Sequence, residues 1–140
     1  MQYNKETSVG YALTTTLNLL RKYFNREIKR YDLSSEQYGV MKLVNESEKL
    51  TPTQIAELLN RDKATITRII KSLESKCLIE KESINNRSFY IKLTKNGKEI
   101  LKDVDKIALK YHKMIMDEIG ESEIHNMLNT LKKIRDIIKG

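Results

Sequence analysis

The residues best equipped for chemistry in this chain are cations and hydroxyls rather than acids and nucleophiles. Lys63, Ala64, Thr67, Arg68 and Lys71 fall on one side of a helical pattern, and Arg87 stands in the polar run Asn85-Asn86-Arg87-Ser88. Arginine carries a planar fork of donors that matches the edge of guanine or a phosphate. Threonine can donate, accept or touch a thymine methyl, and lysine is a compact charge suited to phosphate. Such a set suits recognition of double-stranded DNA, with Arg68 and Thr67 reading bases and Lys63 and Lys71 at phosphates. Thr53, Gln54, Ala64 and Thr65 complete the candidate contacts. Residues 51–98 hold ten Lys/Arg against five Asp/Glu, which is five of the chain's seven net positive charges. A solvated charged face is the ordinary alternative. The order of capped helix, turn, helix and basic hairpin favours an anionic partner instead. There is no Gly-rich phosphate loop, no Ser/His/Asp set and no H-E-x-x-H, so neither catalysis nor a cofactor is expected.

The elements that must position these residues are written in caps and periodicities. Val9, Leu13, Leu17, Leu20 and Phe24 recur at helical spacing. Ser34 and Gln37 have the spacing of a capping box and start a second helix with Tyr38, Met41 and Val44. Thr51-Pro52-Thr53-Gln54 is another capping box, with proline at the first helical position, where its missing N–H does no harm. Asn60-Arg61-Asp62 interrupts that helix, and Asp62 caps the next, which carries Ile66, Ile69, Ile70 and Leu73 on its inner side. Residues 79–83 and 89–93 predict a hairpin with Phe89, Ile91 and Leu93 inward. Thr94 caps a helix carrying Ile100, Val104, Ile107 and Tyr111. Gly120 breaks it, and Ile124, Met127, Leu128, Leu131, Ile134 and Ile138 mark a last helix. The expected fold class is mainly α with a small β wing: a winged helix-turn-helix domain over 33–94, flanked by long dimerisation helices over 1–32 and 95–140.

The stretch TPTQIAELLNRDKATITRIIKSLESKCLIEK, followed by NNRSFYIKLTKNGKEIL, resembles the MarR family of bacterial and archaeal regulators. LSSEQYGVMKLV at 33–44 is similar to that family's second helix. The resemblance implies a homodimer that binds pseudo-palindromic DNA, usually as a repressor, and that a small aromatic acid can release. It makes Asp62 to Lys76 the recognition helix and Arg87 the wing arginine. Ligands in the family often sit between the DNA-binding domain and the dimerisation helices, which makes Arg21, Tyr38 and Tyr111 candidate liners for an aromatic carboxylate. Packing of both tyrosines with satisfied hydroxyls is the open alternative. Two departures stand out. Asn85 replaces the usual Asp near the wing tip, and Cys77 replaces the Gly that suits a left-handed cap after the recognition helix.

Other candidate chemistry is weaker. Cys77 lies beside Leu78 and Ile79 and is expected to be buried and inert rather than a redox switch. His112 and His125 lack the cluster a metal needs. One cysteine excludes an internal disulfide, the N-terminus lacks a secretory apolar stretch, and no apolar run is long enough to span a bilayer, so a cytoplasmic protein without a membrane partner is expected. Two other readings compete with a sequence-specific regulator. A winged-helix protein-interaction module should expose apolar anchors where Thr67, Arg68 and Arg87 stand. A constitutive architectural DNA binder should show no preference for a short inverted repeat.

Overall fold

Six helices and one antiparallel hairpin follow one another in the computed structural model, which describes residues 1–140. Helix α1 (Val9–Ile28) starts where the Ser8 hydroxyl accepts the Tyr11 N–H. A 3-10 turn (Lys29–Tyr31) ends on Asp32, which is left-handed at φ 55° and donates its N–H to the Lys29 carbonyl. Helix α2 (Ser35–Glu46) opens on the expected capping box: Ser34 accepts from the Gln37 N–H, and Gln37 accepts from the Ser34 N–H. Helix α3 (Pro52–Leu58) repeats that arrangement through Thr51 and Gln54. Asn60, left-handed at φ 52°, turns the chain into α4 (Lys63–Ser75), which Asp62 caps by accepting the Thr65 N–H at 2.9 Å.

Strands β1 (Ile79–Ser83) and β2 (Phe89–Leu93) pair from Ile79 opposite Leu93 to Ser83 opposite Phe89. This register buries Ile91 and Leu93, while Phe89 is only half-buried. Leu50 adds a single bridge to the hairpin, its carbonyl accepting the Ile91 N–H at 2.8 Å. Nothing in the local pattern around Leu50 announces that bridge. Thr94 joins hairpin to helix. Its hydroxyl donates to the Cys77 carbonyl at 2.7 Å and accepts the Gly97 N–H at 2.9 Å at the start of α5 (Lys95–Ile119). A side chain at Gly97 would meet the Leu78 carbonyl oxygen at 2.0 Å, so the close approach of helix to strand requires glycine there. Gly120, at φ 105°, separates α5 from α6 (Glu121–Lys139).

The chain forms two compact units, residues 1–104 and 105–140. In the first, Ile28, Val40, Met41, Ile55, Ile66, Leu73, Ile91, Leu101 and Val104 are fully buried, and they hold the helix-turn-helix elements and the hairpin on one core. Helix α1 belongs to this unit, yet most of its apolar stripe faces outward. Val9, Leu13, Leu17 and Leu20 are each at least 43% exposed. In the second unit, Ile124 is buried, while Met127, Leu128, Ile137 and Ile138 are exposed.

Two expectations are overturned. Cys77 is exposed, not buried. It occupies the left-handed position at φ 60° that closes α4, where the Cys77 and Leu78 N–H groups fold back onto the Glu74 and Leu73 carbonyls. Thr65, expected to face DNA, is buried on the inner side of α4.

Candidate nucleic-acid interface

Helix geometry sorts the side chains of α4. With Ile66, Ile70 and Leu73 buried, the opposite side of the cylinder carries Ala64, Arg68 and Lys71, all exposed. Lys63 and Thr67 lie a quarter-turn round, toward the hairpin. There they line a cleft of about 340 Å3 with Thr51, Pro52, Thr53, Arg87, Ser88 and Phe89. The start of α3, the start of α4 and the wing tip thus bring Thr53, Lys63, Thr67 and Arg87 together. Gln54 is exposed on α3, and its side-chain carbonyl is held by the Thr51 N–H at 2.9 Å.

Ion pairing divides the ten cations of residues 51–98 into two groups. Arg61 pairs with Glu36 at 3.2 Å, Lys81 with Glu74 at 3.7 Å, and Lys92 with Glu80 at 3.6 Å. Lys76 is turned inward: its ammonium donates to the Asp32 carbonyl and, at 3.2 Å, to Gln37 Oε1. Gln37 in turn donates to Ser72 Oγ at 2.9 Å, so this network ties the end of α4 to the start of α2. Lys63, Arg68, Lys71 and Arg87 pair with no carboxylate, and neither do Lys95 and Lys98 at the start of α5. The first four are the cations of the α4 outer face and the wing tip, and their field is left for an outside anion. Charge counting along the sequence could not make this distinction, because it depends on which carboxylates fold back onto which lysines.

The wing tip is built by Asn85. Its Oδ1 accepts the Arg87 N–H at 2.8 Å and the Ser88 N–H at 3.0 Å, and the Ile84 N–H donates to the Ser88 carbonyl at 2.9 Å. The acceptor that an aspartate would supply is therefore present without the charge, and the turn that presents Arg87 is closed. Behind it, the Lys81 ammonium lies 4.6 Å from the Phe89 ring centroid and braces the hairpin.

At the start of α4 one group of contacts escaped the sequence reading. The Thr65 hydroxyl donates to Asp62 Oδ1 at 2.7 Å, and Arg68 Nη2 donates to Thr65 Oγ1 at 3.2 Å. The hydroxyl bond from Thr65, reinforced by the Thr65 N–H, holds the Asp62 carboxyl below its usual range. The three-residue steps from 62 to 65 to 68 were the available signal.

The candidate ligand residues fall as follows. Arg21 on α1 pairs with Glu36 at 3.8 Å. The Tyr38 ring on α2 packs on Phe24 with centroids 5.3 Å apart. Tyr111 lies on α5 in the second unit and is half-buried. No helix is long and apolar enough to cross a membrane.

Comparison with known proteins agrees with this geometry. A model of the MarR family matches residues 33–87, from α2 to the wing tip. The HTH-type transcriptional regulator BilQ of Clostridioides difficile is 26% identical over 132 residues, covering 93% of this chain and 89% of the relative. The HTH-type transcriptional regulator SarZ of Staphylococcus aureus is 30% identical over 116 residues, covering 81% and 76%. The crystal structure of S. aureus MepR in complex with DNA superposes with a TM-score of 0.86 at 20% identity, covering 94% of this chain and 98% of that one.

Proposed function

The chain belongs to the MarR family of DNA-binding transcriptional regulators, and we propose that it acts in the cytoplasm as a repressor, a homodimer that occupies a pseudo-palindromic operator. The observation that carries the reading is the placement of unpaired charge. Lys63, Arg68, Lys71 and Arg87 have no carboxylate partner and gather on the outer face of α4 and the wing tip, whereas Arg61, Lys81 and Lys92 are paired and the unpaired Lys95 and Lys98 lie apart on α5. A helix presenting Ala64, Arg68 and Lys71 fits a major groove, with Arg68 at a base edge and Lys71 at phosphate. The cleft that Lys63 and Thr67 share with Thr53 and Arg87 suits a backbone phosphate, and Arg87, carried there on the wing tip, is the residue assigned to the flanking minor groove. Gln54 lies beside Thr53 on the same exposed turn of α3 and joins the phosphate contacts. Dimerisation is supported by the outward apolar residues of α1, α5 and α6, which a single chain leaves in water.

Two substitutions separate the roles. Arg68→Ala should lower affinity for the operator by about 1–3 kcal/mol and relax preference at one base pair per half-site. Lys71→Ala should weaken binding to all duplexes alike and reduce the salt slope by about 1. Competition titrations against operator and random duplex read both. Unchanged preference in Arg68→Ala would mean that another face of α4 meets the bases.

Release by a small aromatic carboxylate completes the proposal. Arg21 is held by Glu36, so a carboxylate bound there must displace that pair, an exposed contact of little strength. Salicylate-like compounds at about millimolar concentration should weaken operator binding, and Tyr111→Ala should reduce the effect. No response to such compounds would remove the sensing role and leave DNA binding standing.

A further inference from the structure

Thr65 is the single buried polar side chain of the protein, and it sits on the helix assigned to the major groove. Burying a hydroxyl is costly unless its partners are supplied, and valine would fill the same β-branched space without that demand. Both partners of Thr65 lie on the outer, functional end of α4. Its proton goes to Asp62 Oδ1 at 2.7 Å, and its oxygen receives Arg68 Nη2 at 3.2 Å.

We infer that Thr65 is a positioning residue for sequence readout, relaying the Asp62 carboxylate through its hydroxyl to fix the Arg68 guanidinium before DNA arrives. A hydroxyl has one proton to give. With that proton committed to a carboxylate, the oxygen can only accept, and donation to an anion strengthens it as an acceptor for the next donor. Asp62 forms no ion pair with Arg68, so the arginine is oriented without its charge being neutralised. One guanidinium N–H is spent, and the others remain to engage a base edge. Holding the long side chain in place removes rotamer freedom that binding would otherwise have to remove, which favours the base that matches the held geometry. Thr65 itself is turned into the domain, so its hydroxyl acts through Arg68 rather than at the surface. The inference rests on the assignment of Arg68 to a base edge.

The test uses the full-length protein and an inverted repeat recovered by selection from random duplex. Thr65→Val keeps the shape and the backbone N–H that bonds Asp62 but removes the hydroxyl. The ratio of operator to random-duplex affinity should fall about ten-fold, with random-duplex affinity and salt slope unchanged. Thr65→Ser, which keeps the hydroxyl, should stay within about two-fold of the parent ratio. In an Arg68→Ala background, Thr65→Val should change the ratio no further. In the free parent protein, the Arg68 guanidinium should show restricted rotation in its side-chain nitrogen spectrum, a readout that does not require the valine variant to fold. An unchanged ratio in Thr65→Val, beside a collapsed ratio in Arg68→Ala, would overturn the relay and leave Arg68 as the base reader. A further loss in the Arg68→Ala background, or a freely rotating guanidinium, would also overturn it. An unchanged ratio in Arg68→Ala alone would instead bring down the assignment of Arg68 itself.

Discussion

At the scale of single residues, the wing tip tests how charge and shape divide the work. Asn85 closes the turn with two backbone N–H groups on one oxygen, so Arg87 is presented by a neutral acceptor. Arg87 has no carboxylate partner to compete for its guanidinium. A narrow, AT-rich minor groove concentrates negative potential, and a guanidinium sheds water into it more readily than an ammonium does. Arg87→Lys should therefore lose affinity although the charge is kept, and the loss should be larger on operators with AT-rich flanks than on GC-rich ones. Competition titrations on the two flank types measure the difference. Equal losses would place Arg87 on phosphate alone. How far such roles could be read in advance varied with their range. Lys63, Thr67, Arg68 and Lys71 were legible as a surface set because helix periodicity is local. The burial of Thr65 was not, since one residue at the margin of an apolar stripe faces in or out according to what packs beside it. The inward turn of Lys76 onto Asp32 and Gln37 was equally hidden, because its partners lie 44 and 39 residues away.

At the scale of elements, caps and breaks were the most readable features. Ser34 with Gln37, Thr51 with Gln54, Asp62 and Gly120 each act within a few residues of themselves, and each stands where its spacing placed it. The Leu50 bridge to Ile91 depends on two distant segments meeting and left no local mark. Cys77 shows what local context can conceal. Apolar neighbours suggested burial, but the end of α4 needs a left-handed residue, and Cys77 adopts φ 60° there with its side chain exposed. A side chain in that conformation costs about 1–2 kcal/mol, part of which glycine returns through the greater freedom of its unfolded chain. Cys77→Gly should thus stabilise the fold by roughly 0.5–1 kcal/mol, read as a shift in the denaturant midpoint at constant m-value. Destabilisation would mean that the cysteine side chain makes contacts that outweigh the backbone strain.

At the scale of the whole molecule, the apolar surface of the terminal helices is the outstanding fact. On α1, Val9, Tyr11, Leu13, Leu17, Leu19, Leu20 and Tyr23 are between 43% and 56% exposed. On α6, Ile137 and Ile138 are 78% and 79% exposed. Exposed apolar faces of this size mark interaction surfaces, and the proposed two-fold pairing through them would set two α4 helices against successive major grooves about 34–36 Å apart. The direct measurement is selection of bound fragments from a pool of random duplexes with the full-length protein at fixed salt. A sequence-specific dimer should enrich one short inverted repeat whose half-sites are centred about one helical turn apart. The selected duplex should bind at least about a thousand-fold more tightly than bulk DNA. Recovery of fragments with no common sequence, or of a single unrepeated site bound by one chain, would contradict it.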